Sequence, residues 1–284
     1  TMSQLGPCLA SADINGDGLV DVYAGGANGQ SGQLFVQDQS GQFQLSNQDA
    51  FLIDAPCEDL DAVFLDVNQD GLQDLYVVSG GNEQPEGSIL YRDRLYINTG
   101  NGIMRKATNA LPDLRISGGC AVVLDFDLDG DPDLFVGGRQ VPGRYPSPAS
   151  SALLLNDRGR FIDVTDQLAP EFRNLGMVTD AALCDLNGDG GPELIVTGEW
   201  MAATVFQFTS KGFVEATAEY GLDREVGWWN CIVPADLDAD GDTDFVLGNL
   251  GWNYKYQASH DKPFHVYAAD FDSSGSFDIA LGYY

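Results

Sequence analysis

A nine-residue pattern written six times along this chain leaves it few ways to fold. Each copy carries an oxygen-bearing side chain at positions 1, 3, 5 and 9 and a glycine at position 6. The copies hold Asp13, Asn15, Asp17 and Asp21; Asp66, Asn68, Asp70 and Asp74; Asp125, Asp127, Asp129 and Asp133; Asp185, Asn187, Asp189 and Glu193; Asp236, Asp238, Asp240 and Asp244; and Asp270, Asp272, Ser274 and Asp278. Alternating oxygens with a glycine hinge are the donor set of a hard cation. Ca²⁺ takes roughly six to eight oxygens at about 2.3–2.6 Å, and the glycine lets the chain turn back around the ion. Position 7 would offer its backbone carbonyl, so its side chain is free to vary: Leu19, Leu72, Asp131, Gly191, Asp242 and Ser276. One copy would pass for a solvated acidic turn. Six copies predict calcium.

The copies predict unequal sites. Loops three and five carry four aspartates and are expected to bind most tightly, whereas Asn15, Asn68 and Asn187 each replace one. Glu193 closes loop four with a longer arm. Ser274 makes loop six the one expected to be weakest. An EF-hand is excluded by position 12, where a bidentate Glu is required. That position holds Ala24, Val77, Val136, Val196, Leu247 and Leu281.

The first acids stand at 13, 66, 125, 185, 236 and 270, intervals of 53, 59, 60, 51 and 34 residues. A period of this size signals a repeat architecture. An apolar run enters each loop and a second leaves it, which reads as a β-hairpin. Two further short runs follow in the early repeats, as in Gln33–Val36 with Phe43–Leu45 and Ala152–Leu155 with Phe161–Val164. Four strands per repeat predict an all-β chain. The expected fold is a β-propeller of four-stranded antiparallel blades, residues 1–284 forming one domain with repeats that begin near 5, 58, 118, 178, 229 and 264. Sustained helical periodicity is absent, with short helical turns expected only near 166–168 and 216–221. The interval after Gly248 is too short for two outer strands plus an entering one. The chain also stops just after the second strand of repeat six, leaving an open edge that native β proteins avoid. The expectation is a polypeptide that continues past Tyr284, with about seven blades in the intact ring.

Composition narrows the function. The formal charge is −29, with 43 acidic and 14 basic residues. Nearly half of the acids fall in the loops, and six divalent ions would offset much of the excess. No basic stripe exists to meet phosphates, so nucleic acid is excluded as a partner, and an anionic membrane surface is disfavoured. No apolar run is long enough to span a bilayer, and no signal peptide is visible. Thr1-Met2 followed at once by strand-like sequence suggests a mature or trimmed piece. Cys8, Cys120 and Cys231 stand five residues before a loop, at one strand position of three repeats, which predicts small buried hydrophobes. A disulfide to Cys57 stays open.

The loop followed by apolar residues and Gly resembles the FG-GAP/VCBS repeat, the blade unit of integrin α-subunit propellers and of many bacterial surface proteins. Asn249–Tyr256 and Gly198-Glu-Trp200 resemble more particularly the large VCBS-repeat proteins of Bacteroidetes-type bacteria, which often carry a further ASPIC/UnbV-type domain. The resemblance implies an exported, often outer-membrane-associated protein with calcium in loops on one face.

Catalytic groupings are sparse. The carboxylate pairs are accounted for as ligands, and His260 and His265, the two histidines, flank an irregular stretch. No nucleophile elbow or phosphate loop appears. The connections leaving each second strand project to the other end of the sheets and hold Tyr91, Arg92, Arg139, Arg144, Tyr145, Trp200, Met201, Trp252, Tyr254 and Tyr256. Trp, Tyr and Arg dominate binding hot spots. Arg139, Arg144, Tyr145, Trp200, Trp252 and Tyr254 are therefore the candidate partner-binding residues, whereas Trp228 and Trp229 are expected to pack between blades. The expected function is a calcium-stabilised exported scaffold that binds a protein at the bacterial surface or within an outer-membrane complex. The alternative is a glycan-binding module or a polysaccharide lyase, since some such lyases resemble this design.

Overall fold

The computed structural model describes residues 5–46, 49–275 and 277–283, with the backbone alone at Trp252. The first repeat forms an antiparallel sheet of β1 (Leu9–Ala12), β2 (Asp21–Ala24), β3 (Gln33–Gln37) and β4 (Phe43–Leu45). The second sheet contains β5 (Asp59–Leu65), β6 (Asp74–Ser79), β7 (Arg94–Asn98) and β8 (Met104–Lys106). The third contains β9 (Ser117–Leu124), β10 (Asp133–Gln140), β11 (Ala152–Asn156) and β12 (Phe161–Asp163). One helical turn, α1 (Thr165–Leu168), leads toward the fourth sheet, where it was expected. That sheet is β13 (Met177–Cys184), β14 (Glu193–Ala202), β15 (Thr204–Thr209) and β16 (Gly212–Glu215). Sheet five is the hairpin of β17 (Val226–Ala235) and β18 (Asp244–Asn249). It is continuous with the fourth sheet because the far end of β14 pairs with β17, Glu199 opposite Trp228 and Ala202 opposite Val226, giving six strands in all. β19 (His265–Ala269) and β20 (Asp278–Gly282) form a last, separate hairpin. The predicted all-β chain forms, with four-stranded antiparallel sheets in the first three repeats and a fourth that extends to six strands.

The core lies between successive sheets, and strand periodicity explains it. Side chains alternate faces along a strand. In β6, Leu75 and Val77 join Tyr23, Leu34 and Phe51 against the first sheet, while Tyr76 and Val78 join Leu134 and Val136 against the third. In β14, Leu194 and Val196 meet Phe135 of the third sheet, and Ile195 meets Ile232 of β17. β6 and the first part of β14 are thus buried on both faces and read as unbroken apolar runs, whereas β18, at the end of the row, leaves Val246 exposed. Phe172, from the segment after α1, fills the space between sheets three and four at 5.2 Å from Phe135 and 4.9 Å from Phe206.

Polar joints fasten neighbouring sheets, and their chemistry alternates. Between sheets one and two, buried Asp59 accepts from the Tyr23 hydroxyl at 2.8 Å and the Gly26 N–H at 2.7 Å, and pairs with Arg94 at 2.7 Å. Between sheets two and three, Asp61 accepts the Ala121 N–H at 2.8 Å. Between sheets three and four, buried Arg139 pairs with buried Glu199. Between sheets four and five, Asp180 accepts the Ile232 N–H at 2.9 Å.

The expectation for the cysteines changes. Only Cys120 of the three equivalent cysteines is buried; Cys8 is half-buried and Cys231 exposed, because no sheet covers that face of β17, where Val233 is also exposed. All five cysteines are free, Cys57 included. The 216–221 stretch forms successive hydrogen-bonded turns, where short helical turns were expected. After β18 the chain passes through a short turn at Gly251–Asn253 and a bridge from Ser259 to Lys262 before β19, so among the described residues repeat five has no third or fourth strand, as its short interval predicted. No helix among the described residues is long and apolar enough to cross a membrane.

Candidate functional site

The six loops close by one hydrogen-bond scheme. The position-6 glycine N–H donates to the position-1 carboxylate in every copy, at 2.8–3.2 Å. The position-2 N–H donates to the position-9 carboxylate, again at 2.8–3.2 Å. The position-5 N–H donates to the position-3 side chain at 2.8–3.3 Å. At position 5 the aspartates of the first five loops turn back to accept the position-7 N–H. The backbone donors therefore aim the carboxylates inward, and the loop organises its own anionic cup.

Two left-handed residues shape each cup. Position 6 is always glycine, at φ between 83° and 98°. Position 4 is left-handed as well, at Gly16, Gln69, Leu128, Gly188, Ala239 and Ser273, with φ between 57° and 78°. A side chain there is strained by roughly 1–3 kcal/mol. Sequence reasoning missed position 4, because its residue type varies while its conformation does not. Leu128, 85% exposed, is the plainest case of backbone need overriding side-chain preference.

Carboxylate oxygens from positions 1, 3 and 9 lie within 4.8 Å of one another in three loops: Asp125, Asp127 and Asp133; Asp236, Asp238 and Asp244; Asp270, Asp272 and Asp278. These are the loops with Asp at position 3. Loops one, two and four place Asn15, Asn68 and Asn187 there, keeping an oxygen but not a charge. Ser274 stands outside the converging trio, so loop six assembles the same three carboxylates as loops three and five. Its Ser276 lies outside the described residues.

Electrostatics favour a cation in these cups. Burial pushes the Asp74 carboxyl up to about 6 and that of Asp133 up to about 7, neighbouring acids adding to the rise against the N–H donors that lower it. Buried Asp131, at position 7 of loop three, has one carboxylate oxygen without a hydrogen-bond partner among the described residues. A divalent ion would supply the missing opposite charge. The oxygen-only donor set fits Ca²⁺ rather than a metal that prefers sulfur or imidazole.

Position 9 has a second task. Its other oxygen accepts an N–H from the third strand: Gln37 to Asp21 at 2.8 Å, Asn98 to Asp74 at 2.7 Å and Asn156 to Asp133 at 2.8 Å. Glu193 departs from this scheme, its other oxygen receiving the Asn187 amide at 2.8 Å and only a side-chain N–H from the third strand, that of Gln207 at 3.4 Å. Neighbouring loops also touch. Asn98 donates to the Ile14 carbonyl at 2.8 Å, Asn156 to the Val67 carbonyl at 2.9 Å, and Gln69 to the Gly130 carbonyl at 3.1 Å.

The opposite ends of the sheets hold the expected partner-binding residues, but in different surroundings. Tyr91 and Arg139 are buried, the latter in the joint with Glu199. Tyr145 donates to Glu199 at 3.0 Å and accepts the Trp200 indole N–H at 2.7 Å. Arg144 is exposed, 3.7 Å from Glu86. Trp200 sits at φ 63° where β14 changes register between Glu199 and Met201, an unusual conformation for so large a residue. Its ring lies 5.3 Å from Trp228 and 5.7 Å from Phe264. With Tyr254, Tyr256 and Trp229 these rings line a cavity of about 550 Å³. Trp228 and Trp229 were expected as packing residues; both face this cavity. The Trp252 side chain lies outside the described residues.

Several known proteins are similar to this chain over part of their length. Phosphatidylinositol-glycan-specific phospholipase D of Bos taurus is 33% identical over 148 residues, which cover 46% of this chain and 17% of that protein. Among solved structures, the V. cholerae biofilm matrix protein Bap1 aligns over 96% of this chain and 36% of its own, at 14% identity and a TM-score of 0.39. The exotype rhamnogalacturonan lyase YesX aligns over 96% of this chain and 61% of its own, at 13% identity and a TM-score of 0.40. The chain spans only part of each of these proteins. A model of the FG-GAP-like repeat matches residues 13–77, 66–136 and 185–247, more than half of the sequence, and each match includes two acidic loops. The chain belongs to the FG-GAP-like repeat family.

Proposed function

We propose that this protein is a calcium-stabilised binding module that works outside the cell, at a bacterial surface or in the periplasm, and acts by holding a partner rather than by turnover. The observation that carries the reading is the convergence of positions 1, 3 and 9 in loops that share one backbone scheme. Asp125, Asp127 and Asp133, with their counterparts in the other loops, would hold the ion, which supplies the positive charge that lets buried carboxylates stay ionised. The chain's own part is the aim: backbone N–H groups fix each carboxylate, and position 9 ties the loop to the third strand. Ca²⁺ bound only by the folded state would stabilise it by mass action, about 2.7 kcal/mol per site at a hundredfold excess over Kd. Extracellular modules work with weak sites, with Kd of roughly 10⁻⁴–10⁻³ M, which suits an exported location.

The successive sheets pack through their first strands, the arrangement a β-propeller uses, and a closed ring of about seven blades is the architecture we propose for the intact protein. The end opposite the loops, with Arg144, Tyr145, Trp200 and Tyr254, is the proposed contact face, presented to a protein partner or a glycan. Calcium titration by calorimetry, paired with melting in calcium and in chelator, tests the reading. Saturable binding with a rise in Tm supports it, and an unchanged Tm overturns it. A lyase assay on uronate polymers tests the enzymatic alternative.

A further inference from the structure

The aromatic cavity beside Trp200 is one of two that adjoin. The second, about 450 Å³, shares Tyr256 and Phe264 with the first, so this ring pair forms a common wall. Tyr256 and Phe264 are stacked, 5.2 Å apart at 17°, and Tyr283 approaches Tyr256 to 4.2 Å. Broad aromatic faces of this kind take flat apolar surfaces such as the C–H faces of sugar rings, and the volumes are those of small-molecule sites.

The charges nearby run against the rest of the molecule. In a chain of net charge −29, the second cavity is lined by Lys255 and Lys262 and by no acid. Only four lysines occur in the whole sequence, so two of them meet here. Lys255 lies 4.8 Å over the Tyr256 ring. The first cavity adds Arg224 and His260 with one carboxylate, Glu225, which stands 4.0 Å from His260. Fixed cations exceed fixed anions across the pair. The strained backbone at Trp200 and the Glu199–Tyr145–Trp200 hydrogen bonds hold one wall in place from behind.

We infer that this double cavity binds an acidic glycan, its sugar rings lying on Tyr256, Phe264 and Trp200 and its carboxylates or sulfates meeting Lys255, Lys262 and Arg224. The inference rests on the binding-module reading and names its ligand class. A protein strand would want exposed backbone groups or an apolar groove, whereas stacked rings with flanking lysines suit a repeating ring that bears anions. Exposed cations of this kind make the affinity sensitive to salt.

The test uses the calcium-loaded chain with three oligosaccharides of equal length: a uronate oligomer, a sulfated oligomer and a neutral β-glucan oligomer. Calorimetry should show at least one acidic oligomer binding about ten-fold or more tightly than the neutral one, and weakening several-fold between about 50 and 300 mM salt, roughly the range over which exposed charges become screened. The two acidic arms distinguish carboxylate from sulfate. The double variant Lys255→Ala/Lys262→Ala should lose about ten-fold in affinity with an unchanged Tm, and Tyr254→Ala should lose several-fold. Equal binding of all three oligomers, no binding of either acidic one, or full affinity in the lysine variant would each overturn the inference. A calcium-dependent Tm that persists while acidic oligomers fail to bind would sink this inference alone and leave the binding module standing.

Discussion

The two ends of the sheets were built under opposite rules. At the loop end, six segments with different side chains at positions 2, 4 and 7 adopt one backbone scheme, down to the left-handed residue at position 4. At the other end, equivalent positions diverge into unrelated chemistry: Gly80 in the second repeat, Arg139 in the third, Glu199 in the fourth and Leu250 in the fifth. Repetition marks the part that makes each repeat stand. Divergence marks the part free to specialise, and the aromatic cavity lies there.

Calcium should separate the two ends most sharply. Chelation removes ions only from the loop end, and if several loops are occupied the loss sums to many kcal/mol, at about 2.7 kcal/mol per site for a hundredfold excess. Calorimetric melting should show a large fall in Tm, and one that follows the calcium concentration. A Tm indifferent to chelator would dissolve the contrast, leaving the loops as ordinary acidic turns.

Next in size is a break at the far end. Glu199→Ala leaves the Arg139 charge buried beside a lost partner, for which roughly 3–5 kcal/mol is expected. Urea melts should show this loss equally with and without calcium, because the pair is remote from the loops. A loss that vanished in chelator would mean the two ends are coupled.

Within the loop end, positions 3 and 9 should part company. Asp133→Ala removes acceptors for the Phe126 and Asn156 N–H groups, so about 1–3 kcal/mol should go even in chelator. Asp127→Ala removes only a 3.3 Å contact with the Asp129 N–H and should matter chiefly when calcium is present. Paired melts of both variants in calcium and in chelator give the comparison directly, and equal behaviour would refute a separate bolting role for position 9.

The joints between sheets offer a smaller, pH-dependent effect. Burial pushes Asp61 up to about 6, with Asp180 adding to the rise. Because the folded value exceeds the ordinary one near 3.8, the folded state holds this proton more tightly. Its contribution to stability is complete below about 3.8 and lost as pH rises through about 6. A carboxyl ¹³C titration of Asp61 should show a midpoint near 6, and a midpoint near 3.8 would show the joint to be solvated. Smallest of all, Arg144→Ala should change stability by less than about 0.5 kcal/mol, since its partner Glu86 is exposed and 3.7 Å away.

The loop end was legible because its physics is local. Asp13 and Gly18, five residues apart, bond to each other, and that spacing can be read without knowing what packs nearby. The strand pattern was legible for the same reason, since alternation along β6 already assigns Leu75 and Tyr76 to opposite faces. Pairings across long separations were hidden. Arg139 reads as a surface cation until Glu199, sixty positions on, arrives beside it. Trp228 reads as core until the bulge at Trp200 turns an indole toward it. Asp61 and Asp180 share the strand position of Cys8, Cys120 and Cys231, yet their role needs the next sheet's N–H, which no single repeat contains.

That shared strand position has a consequence for how such a chain can grow. Sheets two and four present an aspartate to their successor, and sheets three and five receive it with a free amide beside a cysteine. Deleting or duplicating a single repeat would set aspartate against aspartate, or leave two cysteine-bearing strands with no carboxylate between them. Lengthening or shuffling this molecule therefore works in units of two repeats, and a recombinant cut at even boundaries should fold where one cut at odd boundaries fails.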